Sequence, residues 1–318
     1  MKIVVIGGTG HIGTYLVPRL VNEGHEVISV SRQLSKPYRP DPSWEIVQQI
    51  AIDRTQAEAE GTFGEKIMEL KGEVIIDLIS FTVESTKMLA EALMDKVQHF
   101  IHCGTMWVHG HSEQVPTRED QQRFPICDYG RNKANIESYL LSIHKQKGFP
   151  ATILHPGHIS GPGWLPINPA GNLDPDIFVK LARGEEIVLP NFGMETVHHV
   201  HADDVAQAFQ KTIDHRQASL GQSFHVVSEQ ALTLRGFAIG MARWFGKEAK
   251  LRFLPWEAWK KTVSERDAAL TADHILHSPN GSIAKAKQLL DYKPSYSSLE
   301  AVQEAVKYYF EKESIKFE

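Results

Sequence analysis

Met1-Lys2-Ile3-Val4-Val5-Ile6-Gly7-Gly8-Thr9-Gly10-His11-Ile12-Gly13 joins a short apolar run to three spaced glycines and the start of a helical pattern. Ile3 to Ile6 are continuously apolar, as a strand buried on both faces must be. Ile12, Leu16 and Leu20 then recur at helical spacing until Asn22-Glu23-Gly24. Glycines at 7, 10 and 13 allow a tight turn, a close backbone approach to a pyrophosphate and tight packing of helix on strand, while the helix N-terminus offers free N–H donors. Strand, turn and helix in that order predict a dinucleotide site built on Gly7, Thr9, Gly10, His11, Ile12 and Gly13, rather than a glycine-rich turn with no ligand. Pro18 falls inside the helical pattern and should kink it or cost about 3 kcal/mol unless packing compensates.

Working outward, short apolar runs alternate with helix-like stretches: Val27 to Val30, Ile46 to Ile50, Val74 to Ile79, Phe100 to Cys103 and Ala151 to Leu154. That alternation predicts an α/β chain with a Rossmann-type, doubly wound parallel sheet. Gly161-Pro162-Gly163-Trp164-Leu165-Pro166-Ile167-Asn168-Pro169 is dense in Gly and Pro, so regular structure pauses there. A smaller, mixed C-terminal substrate lobe is expected beyond it. The division is a dinucleotide-binding domain over 1–160 plus about 196–220, and a substrate-binding lobe over about 161–195 and 221–318. Leu299 to Phe310 reads as a packed amphipathic helix.

Composition agrees with a compact chain: 318 residues, 42% apolar and 23% charged. A formal net charge of −5 supplies no global basic field, so neither nucleic acid nor an anionic membrane is an expected partner. No apolar run approaches the ~20 residues that span a bilayer, and glycine at position 7 comes too early for an apolar leader. Two cysteines, Cys103 and Cys127, are too few for a disulfide framework or a cysteine metal cage, and a cytoplasmic location is expected.

The second strand ends at Ser31-Arg32. An NAD site places Asp or Glu there for the ribose hydroxyls, whereas a small residue with Arg suits the 2′-phosphate of NADP, so NADP is the expected cofactor, with NAD as the alternative. Lys36 and Arg39 are close enough in sequence to help. Asp53 after the third strand reads either as an adenine-edge contact or as a helix N-cap. Ser80 and Phe81, following the fourth strand, are placed to border the nicotinamide.

Tyr129-Gly130-Arg131-Asn132-Lys133 sets a phenol and an ammonium at i and i+4 on one helix face. A free tyrosine titrates near ~10 and is a poor base at neutral pH unless a fixed cation favours its phenolate, which Lys133 would supply. Thr105 brings a hydroxyl to the carboxyl end of the fifth strand, where open α/β sheets bind ligands. With Thr105 to Gly110, Tyr129 to Lys133, His155-Pro156-Gly157 before Gly161-Pro162-Gly163, and His199-Val200-His201-Ala202-Asp203-Asp204-Val205-Ala206, the chain resembles the extended short-chain dehydrogenase/reductase family, in its NAD(P)-dependent epimerase/dehydratase group.

The resemblance implies that Tyr129 exchanges a proton with a substrate oxygen, that Thr105 hydrogen-bonds that oxygen, and that Lys133 lowers the tyrosine pKa and holds the ribose. His155 joins the implied cofactor contacts, standing where the family commonly has Arg. The implied activity is reversible hydride transfer at a hydroxyl-bearing carbon of a sugar or sugar-nucleotide, by a homodimer. One alternative is an NADPH-dependent ketoreductase on a non-nucleotide carbonyl substrate; another is a non-catalytic, NADP-sensing or RNA-associated binding protein.

Two departures bear on this. Glu195-Thr196-Val197-His198-His199 lacks the Arg that many sugar-nucleotide members place there to grip a diphosphate. His198, His199 and His201 alternate along an extended segment without a completing carboxylate or cysteine, so they are read as structural and no metal is expected. Asp204, or alternatively Asp203, is expected to cap the following helix.

Overall fold

The computed structural model describes residues 1–33 and 37–314; Lys36 lies outside the described residues. Its first half alternates as expected: β1 (Lys2–Ile6), α1 (His11–Asn22), β2 (Glu26–Ser31), β3 (Gln48–Ala51), α2 (Arg54–Ala59), α3 (Phe63–Glu69), β4 (Val74–Asp77), α4 (Val83–Ala92), β5 (His99–Cys103), α5 (Asp128–Lys147) and β6 (Ala151–Pro156). The second half is more broken: β7 (His158–Ser160), α6 (Asp176–Ala182), β8 (Glu186–Pro190), β9 (Thr196–Val197), β10 (His199–His201), α7 (Ala202–Asp214), α8 (Arg216–Ser219), β11 (Ser223–Val226), β12 (Leu232–Thr233), α9 (Leu234–Trp244), β13 (Lys250–Leu254), α10 (Trp256–Trp259), α11 (Glu265–His277), α12 (Ala284–Leu290) and α13 (Ser298–Lys312).

Seven parallel strands form one sheet in the order β11-β6-β5-β4-β1-β2-β3. Helices cover both faces, so Ile3, Val4, Val5, Ile75, Ile76 and Phe100 are fully buried, each side chain contributing about 1.5–3 kcal/mol by leaving water. Strand order reverses between β1 and β4, and a crevice opens there at the strands' carboxyl ends. The remaining strands pair two by two, β10 with β7, β12 with β9 and β13 with β8, and Trp259 lies at 0% exposure in the smaller lobe's own core.

Three local expectations are corrected. The third strand begins at Gln48 and not at Ile46, because Asp41 accepts the Ser43 N–H (2.9 Å) and caps a 3-10 turn over Pro42–Glu45 that leaves Ile46 at 78% exposure. Neither Asp204 nor Asp203 caps α7. His201 does, its Nδ1 accepting the Asp203 N–H at 3.0 Å. Asp203 instead takes two bonds from Arg19 (2.7 Å each), tying α7 to α1, and Asp204 accepts the N–H groups of Ser295 (2.6 Å) and Tyr296 (3.1 Å). The sheet's edge strand is Ser223–Val226, so the chain's return to the sheet runs past residue 220. Pro18 is buried inside α1, which continues through it to Asn22.

Glycine at 13 is dictated by contact, since a Cβ there would stand 2.1 Å from the Gly8 oxygen. Gly13→Ala should therefore cost about 1–3 kcal/mol through forced overpacking, seen as a lowered Tm; a wild-type melting curve would show that the turn relaxes freely.

Candidate active site

Gly7 turns the chain at φ +89° and its carbonyl accepts the Gly10 N–H at 3.0 Å. Gly10 caps α1 without a side-chain bond, which leaves the first-turn N–H groups of α1 open to an anion at the crevice mouth. A Cβ at Gly7 would lie 2.8 Å from the Ile79 Cγ2, so the turn after β1 packs closely on the segment that follows β4. These residues fit the pyrophosphate of a dinucleotide. The crevice beside them is lined by Gly7, Gly10, Ile12, Ile79, Phe81 and Lys133, and continues past Thr105 and Tyr129.

Thr105 sits where β5 gives way to a 3-10 turn over Met106–His109, and its hydroxyl oxygen accepts the Trp107 N–H at 3.3 Å. With an acceptor site so filled, the hydroxyl proton is left for donation. Tyr129 stands in the first turn of α5, 42% exposed, and lines the same crevice as Thr105. Desolvation pushes its pKa up to about 12, and the neighbouring Thr105 hydroxyl offsets this only in part. Lys133, one turn on and 2% exposed, gives two of its three N–H donors to the carbonyls of Ser80 (2.7 Å) and Cys103 (2.6 Å). Its Nζ is 6.0 Å from the Tyr129 ring centre and 4.9 Å from the Phe81 ring, and burial lowers its own pKa. The ammonium thus lies closer to two carbonyls than to the phenol, and burial favours the neutral form of Tyr129.

The other expected contacts divide. His11 lines the crevice, its ring stacked on Trp164 (4.6 Å, 5° between planes) and its Nδ1 bonded to the Tyr38 hydroxyl; burial holds it neutral, with a pKa lowered to about 3. Ser31 ends β2 buried, with its hydroxyl donating to the Gln33 carbonyl (2.5 Å), and Arg32 beside it is exposed. Arg39 is elsewhere, its guanidinium 5.0 Å from the Tyr15 ring. Asp53 is the N-cap of α2, accepting the Gln56 N–H at 3.1 Å. Ser80 is fully buried and offers Lys133 its carbonyl, while its hydroxyl meets Thr86 at 2.7 Å.

His155 corrects the expectation of a cofactor contact. It is fully buried behind the crevice wall, its Nδ1 accepting the Thr105 N–H at 3.0 Å and its Nε2 lying 3.1 Å from the Glu137 carboxylate. Glu137 in turn is gripped by Arg123 through two bonds of 2.9 and 2.7 Å, which together with His155 hold its pKa well below the usual carboxylate range. A Cβ on Gly104 would stand 2.3 Å from the His155 ring, so the glycine before Thr105 is required by this histidine. His155 holds the Thr105 backbone and is not among the described residues that line the crevice.

Beyond Tyr129 the crevice enters a cavity of about 340 Å³ walled by Trp107, Trp164, Met106, Leu165, Ile167 and Leu173, with His158 at its side. Sequence reasoning did not assign this half, because its walls arrive from β5, β7, the Gly/Pro loop and the neighbourhood of α11. The Trp107 ring stacks on His277 (4.1 Å, 15°), and His158 packs against His274 (4.8 Å) and His199 (5.7 Å). Among the described residues no group of three or more His, Cys, Asp or Glu is arranged to hold a metal ion, and no helix is long and apolar enough to cross a membrane.

The profile of the NAD dependent epimerase/dehydratase family matches residues 3–226. A chloroplast stem-loop binding protein of 41 kDa from Arabidopsis thaliana is 28% identical, with 96% of this chain and 78% of that one covered. A UDP-glucose 4-epimerase of Streptococcus mutans is 22% identical over 95% of this chain and 94% of its own. In fold, the UDP-glucose 4-epimerase of Thermotoga maritima superposes with a TM-score of 0.74 at 21% identity, covering 99% of this chain and 100% of that structure.

Removing the Glu137 carboxylate takes two charged bonds from Arg123 and the partner of His155 Nε2, while the carbonyls of Glu119 and Gln121 still accept from the guanidinium, so Glu137→Ala should destabilise the fold by about 1.5–3 kcal/mol in denaturant titration. A loss under about 1 kcal/mol would show that the network carries no weight. Because Glu137 titrates lower folded than unfolded, its contribution is present above the unfolded carboxylate range of ~4.3 and fades as pH falls below it.

Proposed function

The chain belongs to the NAD dependent epimerase/dehydratase family, and from that membership we propose that it catalyses reversible hydride transfer at a hydroxyl-bearing carbon, with Tyr129 as the acid/base. The observation that carries this is that Tyr129, Thr105 and Lys133 line one crevice with the glycine turn. A nicotinamide dinucleotide, when bound, supplies the carrier that accepts or returns the hydride. The protein's part is to bind, orient and move a proton. The turn from Gly7 to Gly13 and the N-terminus of α1 would hold the pyrophosphate, and Lys133, whose ammonium lies by the Phe81 ring, would have its third N–H left for the ribose. Thr105 donates to the substrate oxygen while His155 fixes its backbone. Tyr129 gives its Oη proton to a carbonyl oxygen in one direction and receives the alcohol proton in the other.

NADP is the cofactor in this proposal. Support comes from the end of β2, where Ser31 and the exposed Arg32 stand in place of a carboxylate. The acting species is a homodimer joined through sheet-flanking helices and working in the cytoplasm, a reading supported by the family resemblance and two free thiols. RNA association is a second reading, favoured by the stem-loop binding relative. The intact Thr105, Tyr129 and Lys133 set and the net charge of −5 weigh for catalysis, since RNA binding asks for cations and not for a proton donor. Retention of an RNA hairpin with no oxidation of NADPH by any carbonyl compound would reverse that order.

Tyr129→Phe should cut turnover about 10²–10⁴-fold while NADPH affinity, read by fluorescence, is kept; unchanged turnover removes the assigned role. Arg32→Ala should weaken NADPH about tenfold or more and leave NADH unaffected, and equal effects on both would return the site to NAD. With the free phenol near 12, kcat/KM for carbonyl reduction should stay flat from about pH 6 to about pH 9, whereas alcohol oxidation should climb with pH. A reduction profile that falls across that window contradicts the protonated phenol.

A further inference from the structure

We propose that the substrate half of the crevice takes an uncharged compound, a hydroxyl- or carbonyl-bearing ring with an apolar face, rather than a nucleoside diphosphate sugar, and that His158 hydrogen-bonds one of its oxygens. This rests on the hydride-transfer reading and names the substrate class of the same site.

Charge is the first support. Among the described residues, those walling the cavity beyond Tyr129 include no Arg, Lys, Asp or Glu. A diphosphate brought into such a space leaves water without a cation to meet it, at a cost of several kcal/mol that Arg or Lys would otherwise offset. The histidines cannot take that role at neutral pH. Burial is the largest cause holding His158 and His199 in the neutral form, the latter at about 3, and it lowers His274 and His277 as well. Charging His158 or His199 is opposed further by the histidines beside each of them.

Hydrogen-bond bookkeeping supplies the second support. His274 donates Nδ1–H to the carbonyls of Gly171 (2.8 Å) and Leu270 (2.7 Å), and His277 donates Nδ1–H to that of Asp273 (2.6 Å), so both rings are fixed by backbone. His158 differs. Among the described residues neither of its ring nitrogens has a hydrogen-bond partner; both are closed off from the cavity that the side chain borders, so the ring must turn to present one of them there. A neutral imidazole offers one donor and one acceptor, the complement of a hydroxyl group, and leaving both unmet costs about 1–3 kcal/mol for each. A substrate hydroxyl would relieve that cost.

Shape is the third. Trp107 is held by its stack on His277 and Trp164 by its stack on His11, so two fixed aromatic rings line the cavity that Tyr129 and Thr105 also border. Such walls match the C–H face of a ring. A volume of about 340 Å³ lies at the small end of the roughly 300–1,000 Å³ range of ligand pockets.

The test is calorimetric titration of the NADP-loaded protein with UDP, UDP-glucose and phenyl β-glucoside, repeated on His158→Ala and His158→Gln, alongside NADPH oxidation assays with the matching keto compounds. Phenyl β-glucoside should bind at least tenfold more tightly than either nucleotide, weaken about tenfold in His158→Ala, and recover in part in His158→Gln, whose amide also donates and accepts. Tighter binding of UDP-glucose, or no binding of the glucoside, overturns the substrate class, and an unchanged His158→Ala overturns the residue's role. Turnover that persists in Tyr129→Phe would instead strike at the hydride-transfer reading, so the two failures are told apart.

Discussion

A buried ammonium holds the chemistry in place. Lys133 Nζ donates to the carbonyl where the chain leaves β4 (Ser80) and to the last residue of β5 (Cys103), which hangs α5 across the ends of two neighbouring strands. With 2% exposure the charge has little water, and the two carbonyl dipoles with Phe81 above them replace it. Because Tyr129 is one helical turn before Lys133, anchoring the lysine fixes where the phenol stands over Thr105. Cost and position come from the same contacts: a helix free to slide would leave the ammonium unpaired.

A second buried arrangement fixes Thr105 from behind. The threonine's hydroxyl oxygen accepts the Trp107 N–H and its own backbone N–H donates to His155, so the hydroxyl is aimed by the protein's interior and not by the crevice. Glu137 lies one turn beyond Lys133 on α5, and it carries the far nitrogen of the same His155. One helix therefore presents, along a single face, the acid, the cation and the carboxylate that steadies the histidine holding the threonine.

The glycine turn and the Tyr129 to Lys133 spacing were legible in the sequence because each is local: a strand, a turn and a helix within thirteen residues, and two side chains one helical turn apart. The parallel sheet followed from alternation of apolar runs. What was illegible depends on partners far along the chain. His155 reads as a ligand contact until the Thr105 N–H and Glu137 are seen to occupy both of its nitrogens. Asp203 and Asp204 have the composition of helix caps, but Arg19 and the 295–296 backbone claim them first, and a histidine caps α7 instead. Lys133 could be assigned a cation's role from spacing, yet spacing says nothing of the two carbonyls that keep its charge away from the phenol.

The same distinction separates the two halves of the crevice. The half beside the glycine turn is shaped mainly by strand ends of one sheet, so its geometry is inherited from the fold. Beyond Tyr129 the walls come from segments separated by more than 170 residues, since Trp107 follows β5 while Pro279 follows α11. Here those walls are mainly tryptophan and aliphatic side chains with one histidine. A site of that composition discriminates by desolvation: a neutral ring loses little on entry, whereas a diphosphate loses its hydration and finds no cation.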